Sequence, residues 1–408
     1  MKRKFIYLST KRYDGTVFTT QVADWLSLYK TNGVDFSYLH LFYYDYLWNN
    51  SKRKKESELM KKETYFFKDY SFCFPSRGLF VYLNALLWHF KLMKLYKNCD
   101  ELLLFSRMLC GKEIRVLKKM APVPIIFYYD ARAASAEENR YASVRNNDFS
   151  YKKFKVFAHA YYTEFKTVSI ANRIFSVSNA LKKYFITNYN TNPEKVFIYP
   201  CLSDVSKFYF DQRIRLNTRK EMGFSENNSV FLYAGGIEGQ YHVVNSIFEF
   251  FKYVSDNDPL ARFLLLSKDS LAIEDKLKQY PTLTNKLQYK SVANSVVINY
   301  LNAADFGLLF RDNVLMNNVA SPSKFAEYML CGLPCIISEG VGDYSEFCKN
   351  TGVGIVVTES EMKNWNEFDL KKISETKFDR EMIETKGKRY FSKQSLIGEI
   401  INEFSRKF

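Results

Sequence analysis

Residues 4–9 form a short apolar run that reads as a strand, and the polar turn after it, with Asp14 and Gly15, leads into a helical pattern over about 19–31. A strand, a glycine-bearing loop and a helix make the opening unit of a doubly wound sheet. Residues 52–62 read as a charged helix or loop. Residues 79–97 read as an apolar, aromatic helix in which Lys91, Lys94 and Lys97 are interleaved. Such a composition suits either a core helix with a basic outer face or a helix lying in a membrane interface, with Trp88 and Tyr96 as anchors. Strands are predicted at 101–105 and 124–129, the second running into D-A-R-A-A-S-A-E-E at 130–138. His159 and Glu164 fall on a helix ahead of the strand R-I-F-S-V-S-N. Residues 196–200 close a first domain, and 204–217 read as a linker.

The second half restarts the pattern. The run S-V-F-L-Y-A-G-G-I-E-G at 229–239 is a strand, a glycine-rich loop and a helix start, and Gly235 and Gly236 would let backbone approach a phosphate closely. Further strands are predicted at 262–266, within 302–310 and at 335–337. The triplet Asp256, Asn257, Asp258 looks like a metal-binding pair of aspartates, but it follows a helix and precedes Pro259, which makes it a surface turn. A terminal helix is predicted over 387–408, with Leu396, Ile397, Ile400, Ile401 and Phe404 at helical spacing.

Residues 320–338, A-S-P-S-K-F-A-E-Y-M-L-C-G-L-P-C-I-I-S, carry the clearest chemistry. Ser321 suits a helix N-cap, Pro322 the first helical position, and Gly332 with Pro334 a stop, which predicts a helix over about 322–331. Phe325, Tyr328, Met329 and Leu330 form its apolar face. Lys324 is out of place in such a first turn, because the helix dipole disfavours a cation there by roughly 0.3–1 kcal/mol. An anion at the helix start reverses that sign: a phosphate would meet the free amides, the hydroxyls of Ser321 and Ser323, and the Lys324 ammonium. Glu327, three residues on, would then accept hydroxyls of whatever carries the phosphate. The plainer alternative is a surface helix with a Lys324–Glu327 ion pair.

The run S-P-S-K-F-A-E-Y-M-L-C-G-L-P-C-I-I resembles the donor-binding segment of bacterial GT-B glycosyltransferases, close to glycosyltransferase family 4. The resemblance implies an α/β chain of two facing Rossmann-like domains, with the last helix returning to the first domain. It places an acceptor-side domain at 1–205 plus 388–408 and a nucleotide-sugar domain at 206–387. Around the donor it implies Gly235, Gly236, Ser321, Ser323, Lys324 and Glu327, with Arg311 as an additional cation. Catalytic contributions would come from Lys324, Arg311, Asp130 and His159, and the acceptor side would hold Gly15, Gln21 and Arg132. No metal or cofactor is needed, since cations would meet the charge of the departing diphosphate. Retention of anomeric configuration is implied by the family only. Three features depart from its pattern. Val319 stands where an acidic residue is usual, eight before Glu327, and the glycine loop lacks the usual Arg/Lys pair, so that Asn317, Asn318, Arg311 and Lys324 would have to compensate. Ala133 also replaces a glycine in the D-x-R loop.

At 408 residues two domains are expected. The net charge of +15 is carried wholly by residues 1–200, at +16, against −1 for 201–408. This asymmetry points to an anionic partner for the first domain. No zinc, helix-turn-helix or RNA-binding signature supports nucleic acid, which leaves an acidic membrane surface. The first residues enter a strand without a signal-peptide pattern, no apolar run spans a bilayer, and seven cysteines lack paired zinc spacing. Together these predict a cytoplasmic protein peripheral to the inner membrane face. The expected activity is transfer of a sugar from a nucleotide-sugar to a glycan or lipid-linked glycan, in surface polysaccharide synthesis. The rival reading is an inactive nucleotide-sugar-binding scaffold at the membrane.

Overall fold

The computed structural model describes residues 2–10, 18–64, 66–237 and 243–408. The chain divides into two compact units, one of Met1–Tyr199 with Ile397–Phe408 and the other of Pro200–Leu396.

Seven parallel strands form the sheet of the first unit: β1 (Arg3–Ser9), β2 (Phe36–Tyr43), β3 (Phe67–Cys73), β4 (Glu101–Ser106), β5 (Ile125–Ala131), β6 (Arg173–Ser176) and β7 (Val196–Ile198). Their order is β3-β2-β1-β4-β5-β6-β7, so the chain winds outward both ways from a switch between β1 and β4. β4 and β5 are buried throughout, as expected of central parallel strands covered on both faces. The helix Leu79–Tyr96 buries Val81, Asn84, Ala85, Trp88, Leu92 and Tyr96 along one stripe. Trp88 and Tyr96 therefore belong to the interior and do not serve as outward anchors. Leu79, Phe80, Tyr82, Phe90 and Met93 form the exposed side instead.

The final residues complete this core. Phe404 packs against Phe5, Tyr29, Phe36, Phe105, Tyr128 and Phe175. Arg173 clamps Glu403 through two nitrogens at 2.6 and 2.7 Å. The terminal helix is not continuous: Arg380–Phe391 and Lys393–Phe404 are separate helices. Ser392 pairs in parallel with Ser203, with Ser203 N–H donating to Phe391 O and Lys393 N–H to Ser203 O, and this bridge takes Ser392 out of helical geometry.

Six parallel strands build the second unit: β8 (Ser229–Ala234), β9 (Ala261–Leu266), β10 (Leu287–Lys290), β11 (Phe306–Leu309), β12 (Cys335–Ser338) and β13 (Gly354–Val357). The order β10-β9-β8-β11-β12-β13 places its switch between β8 and β11. The segment read as a linker contains the helix Gln212–Glu221, capped by Asp211, whose carboxylate accepts from Arg213 and Ile214 N–H. Arg215 and Arg219 of that helix both grip Asp305, at 2.5 and 3.0 Å, so it is an integral part of the unit. Asp256 pairs with Lys252, and Asp258 accepts from Leu260 N–H, as in a surface turn. All seven cysteines are free thiols. Among the described residues no helix is long and apolar enough to cross a membrane.

Candidate active site

Residues 320–338 fold into the helix Ser323–Leu330 and strand β12. Pro322 occupies the N-cap position and makes no side-chain cap. Ser321 lies one residue outside, because its hydroxyl is committed elsewhere: it accepts from Cys201 N–H at 2.8 Å and meets the Tyr344 hydroxyl at 2.5 Å. Phe325 to Leu330 are buried all round, since the helix Arg380–Phe391 covers the side turned away from the sheet. Gly387 permits that approach, for a Cβ there would stand 2.5 Å from Met329 backbone. Gly332 ends the helix at φ +59.

Tyr328 sets the helix across the switch point. β8 and β11 pair only at Phe306 with Phe231 and Gly307 with Leu232. Where they part, the Tyr328 ring lies over Gly307, and its hydroxyl donates to Leu308 O at 3.3 Å and accepts from the Ala234 amide. Ligands of open α/β sheets bind in the crevice at such a point. Ser323 and Lys324 keep half-exposed side chains there, and Lys324 Nζ donates to Glu327 Oε2 at 2.8 Å. Glu327 is nearly buried, yet among the described residues its other oxygen has no partner.

The loops after β8 and β11 flank the same crevice. Gly235 N–H is spent on Leu266 O, which extends the sheet by one bond. The turn at Gly236 is held by Tyr233 Oη donating to its carbonyl at 2.9 Å and by Asp269, which accepts Ile237 N–H at 2.6 Å. Arg311 is fixed through Ser338, whose hydroxyl bonds both its N–H and its carbonyl at 2.9 Å. Arg311 lines a cavity of about 300 Å3 with Ser246, Glu339, Glu359 and Lys363. Val319 is buried, Asn317 braces Arg311 and Asp312 O, and Asn318 bonds Asn313 and Gly340 O. Both asparagines therefore stabilise the 311–319 loop.

In the first unit Asp130 is the centre of a buried cluster at the ends of β1, β4 and β5. Tyr7 Oη donates to its Oδ2 at 2.8 Å, Arg132 Nε stands 2.5 Å from Oδ1, and Arg107 Nε 3.8 Å from Oδ2. Arg107 also donates to Gln21 Oε1 at 2.8 Å, and Gln21 sits in a π-helical turn, Thr19–Ala23, ahead of the helix Asp24–Thr31. The Arg132 guanidinium lies 4.3 Å from the centre of the Tyr199 ring. Burial, and then the Asp130 charge, keep the Tyr7 phenol protonated. Gln21, Asp130 and Arg132 are thus brought together, while Gly15 lies outside the described residues, as do residues 238–242 of the glycine-rich loop. Arg107 and Tyr7 were not legible as site residues. Arg107 has one signal, its place directly after a strand at the switch, whereas Tyr7 reads as an ordinary strand tyrosine.

His159 stands apart from this cluster. It is exposed on the helix Tyr151–Ile170, and burial and then the charges of Lys112 and Arg77 lower its pKa. Glu164 on the same helix is fully buried; it accepts Ser135 N–H at 2.8 Å and Tyr189 Oη at 2.7 Å, and so caps the helix Ser135–Arg145 that follows the Asp130 loop. Burial raises its pKa to about 7 from an ordinary 4.5. A group raised in the folded state favours folding below its unfolded pKa, and that advantage is lost as pH rises through the folded value. Stability should therefore fall between about pH 4.5 and 7, by about 3 kcal/mol from this group. Chemical denaturation across that range should show the slope flattened in Glu164→Gln; an unchanged slope would mean that Glu164 does not titrate with folding.

No family model matches the sequence, and no curated protein matches it. Solved structures do match in fold. HepE of Anabaena, crystallised with UDP, is 14% identical with a TM-score of 0.68 over 99% of this chain and 100% of HepE, and the same protein was solved with UDP-glucose. The lipopolysaccharide outer core galactosyltransferase WaaB is 12% identical at TM-score 0.67, over 99% of each chain. WaaG, a glycosyltransferase involved in lipopolysaccharide biosynthesis, is 14% identical at TM-score 0.62, over 98% of this chain and 99% of WaaG. These neighbours are GT-B glycosyltransferases, and the chain has that α/β fold of two Rossmann-like units.

Proposed function

We propose that the protein is a glycosyltransferase of the family 4 type, moving a sugar from a nucleotide-sugar to a glycan or lipid-linked glycan with retention, in surface polysaccharide synthesis. The observation that carries this reading is the Lys324–Glu327 pair at the start of a helix set across the β8/β11 switch. In this reading the diphosphate lies against the first-turn amides, Ser323 and Lys324, with Arg311 as the second cation and Gly236 giving backbone access. Ser321 serves the site only by anchoring the helix start to Cys201. Glu327 accepts the ribose hydroxyls. Lys324 and Arg311 stabilise the charge that develops on the leaving diphosphate, so the reaction proceeds without a metal ion. Asp130 holds Arg107 and Arg132 on the acceptor side. Support comes from HepE, solved with UDP and UDP-glucose, and from the lipopolysaccharide roles named for WaaB and WaaG.

Glu327→Ala should weaken nucleotide-sugar binding about 10- to 150-fold, since a charged acceptor of hydroxyls contributes roughly 1.5–3 kcal/mol. Calorimetry on a folded variant with unchanged affinity would remove Glu327 from the site. The scaffold reading has one observation in its favour, the buried Val319 where an acid is usual. A panel of nucleotide-sugars separates the two, because binding without any release of nucleoside diphosphate would support the scaffold.

The first unit is also proposed to rest on anionic membrane. Lys52, Lys54 and Lys55 project from the helix Asn50–Glu63, and Lys91 and Lys94 accompany the exposed apolar side of Leu79–Tyr96. Each such lysine contributes on the order of 1 kcal/mol at an acidic surface. The protein should sediment with phosphatidylglycerol vesicles at low salt and be released as salt rises; equal sedimentation with neutral vesicles would reject this mechanism.

A further inference from the structure

A cavity of about 340 Å3 opens at the ends of β2, β3 and β4, lined by Tyr44, Phe74, Ser76, Trp88, Met108 and Glu113 among others. Its size falls in the range of small-molecule sites. Met108 follows Arg107 directly, so the cavity begins one residue from the Asp130 cluster. Glu113 is 1% exposed and sits in the first turn of the helix Gly111–Met120. Asn84 donates to its Oε1 at 3.3 Å, and among the described residues Oε2 has no hydrogen-bond partner. The Ser76 hydroxyl, on the same cavity, has none either. Neighbouring donors are spent on backbone: Asn84 on Phe74 O, Trp88 Nε1 on Phe72 O, and Lys112 on Ser76 O. Leaving a buried carboxylate oxygen and a hydroxyl unmet is costly, and in a native protein such atoms call for a cause.

The walls are aromatic. Tyr44, Phe74 and Phe80 form a stacked series, with ring centres 6.1 and 5.4 Å apart and planes within 16° and 5°. Tyr43 and Tyr44 are about half exposed. Asn84 fixes Phe74 from both sides, accepting its N–H at 2.8 Å and donating to its carbonyl at 3.0 Å, so the platform is rigid before any ligand arrives. A negative ring face attracts the weakly positive C–H bonds on the flat side of a pyranose. Hydroxyls at its rim supply the donors that Glu113 lacks.

We propose that this cavity binds a pyranose residue of the acceptor, stacked on the half-exposed Tyr44 ring at the end of the series and donating a hydroxyl to Glu113 Oε2. The assignment rests on the glycosyltransferase reading for the word acceptor, and on the cavity alone for the sugar. The 408-residue chain would be examined by saturation-transfer NMR with methyl glucoside, methyl galactoside, methyl mannoside and methyl N-acetylglucosaminide. At least one should receive saturation, strongest at ring C–H protons, and both Glu113→Gln and Tyr44→Ala should weaken it about tenfold or more. Nucleotide-sugar affinity, measured on the same samples, should survive Glu113→Gln and report an intact fold. No saturation on any of the four glycosides, or wild-type affinity in folded Glu113→Gln, overturns the assignment. If nucleotide-sugars bind and glycosides do not, only the cavity assignment falls. If glycosides bind and no nucleotide-sugar does, the sugar site stands and the glycosyltransferase reading falls.

Discussion

Lys324→Ala should lower turnover about 10²- to 10³-fold, with Lys324→Arg retaining much more. A donor aimed at charge that develops in the transition state contributes about 2.7–4 kcal/mol to catalysis, because it needs no reorganisation when the bond breaks. Lys324 stands in the first turn of a helix, with Glu327 accepting from its ammonium at 2.8 Å, and a diphosphate bound at that helix start would lie beside amides that favour an anion. On the proposed reading, release of nucleoside diphosphate from a nucleotide-sugar is the measurement. An exposed ion pair of the ordinary kind contributes only about 0–1 kcal/mol. Unchanged turnover with a small shift in melting would reduce Lys324 to that role.

Asp130→Ala should destabilise the first unit by about 3–5 kcal/mol, because it leaves buried guanidinium groups without their carboxylate. Arg107 and Arg132 have side chains only 6% and 12% exposed, and Asp130 is the acid between them. The expected fall in melting temperature is roughly 6–20 °C for a unit of this size, read by scanning calorimetry. Asp130→Asn should fall between, since it still accepts from Tyr7. A variant that melts with the wild type would show that the arginines find other partners. In that geometry Tyr7 donates to one Asp130 oxygen and Arg132 is ion-paired with the other.

The helix Ser323–Leu330 was legible because its signals are local. Proline, lysine, glutamate, glycine and proline at fixed offsets specify a helix start, a first turn and a stop within one short stretch, and the helix forms there with its start shifted by one residue, Pro322 taking the N-cap position. The opening strand, the glycine-bearing turn after β8 and the strand after Gly332 were legible for the same reason. Other features depend on partners distant in sequence. Ser321 has the residue type of an N-cap, but Cys201 and Tyr344 claim its hydroxyl. The helix Gln212–Glu221 has no apolar stripe, and arginines locked on Asp305 make it part of the core. A one-residue bridge to Ser203 breaks the terminal helix at Ser392. Strands β2, β3, β10 and β13 carry no signal that separates them from short apolar or mixed segments until neighbours pair with them.

By itself the sequence determined the α/β class and the helix and strand of residues 320–338, since periodicity, caps and turn residues act over a few positions. Tertiary structure alone decided which charges meet: Arg107 with Asp130 across two strands, and Glu113 with the Tyr44 and Phe74 walls at the strand ends. Sheet order fixes those meetings. Parallel strands far apart in the chain lie side by side, and only then do the residues at their ends share one crevice.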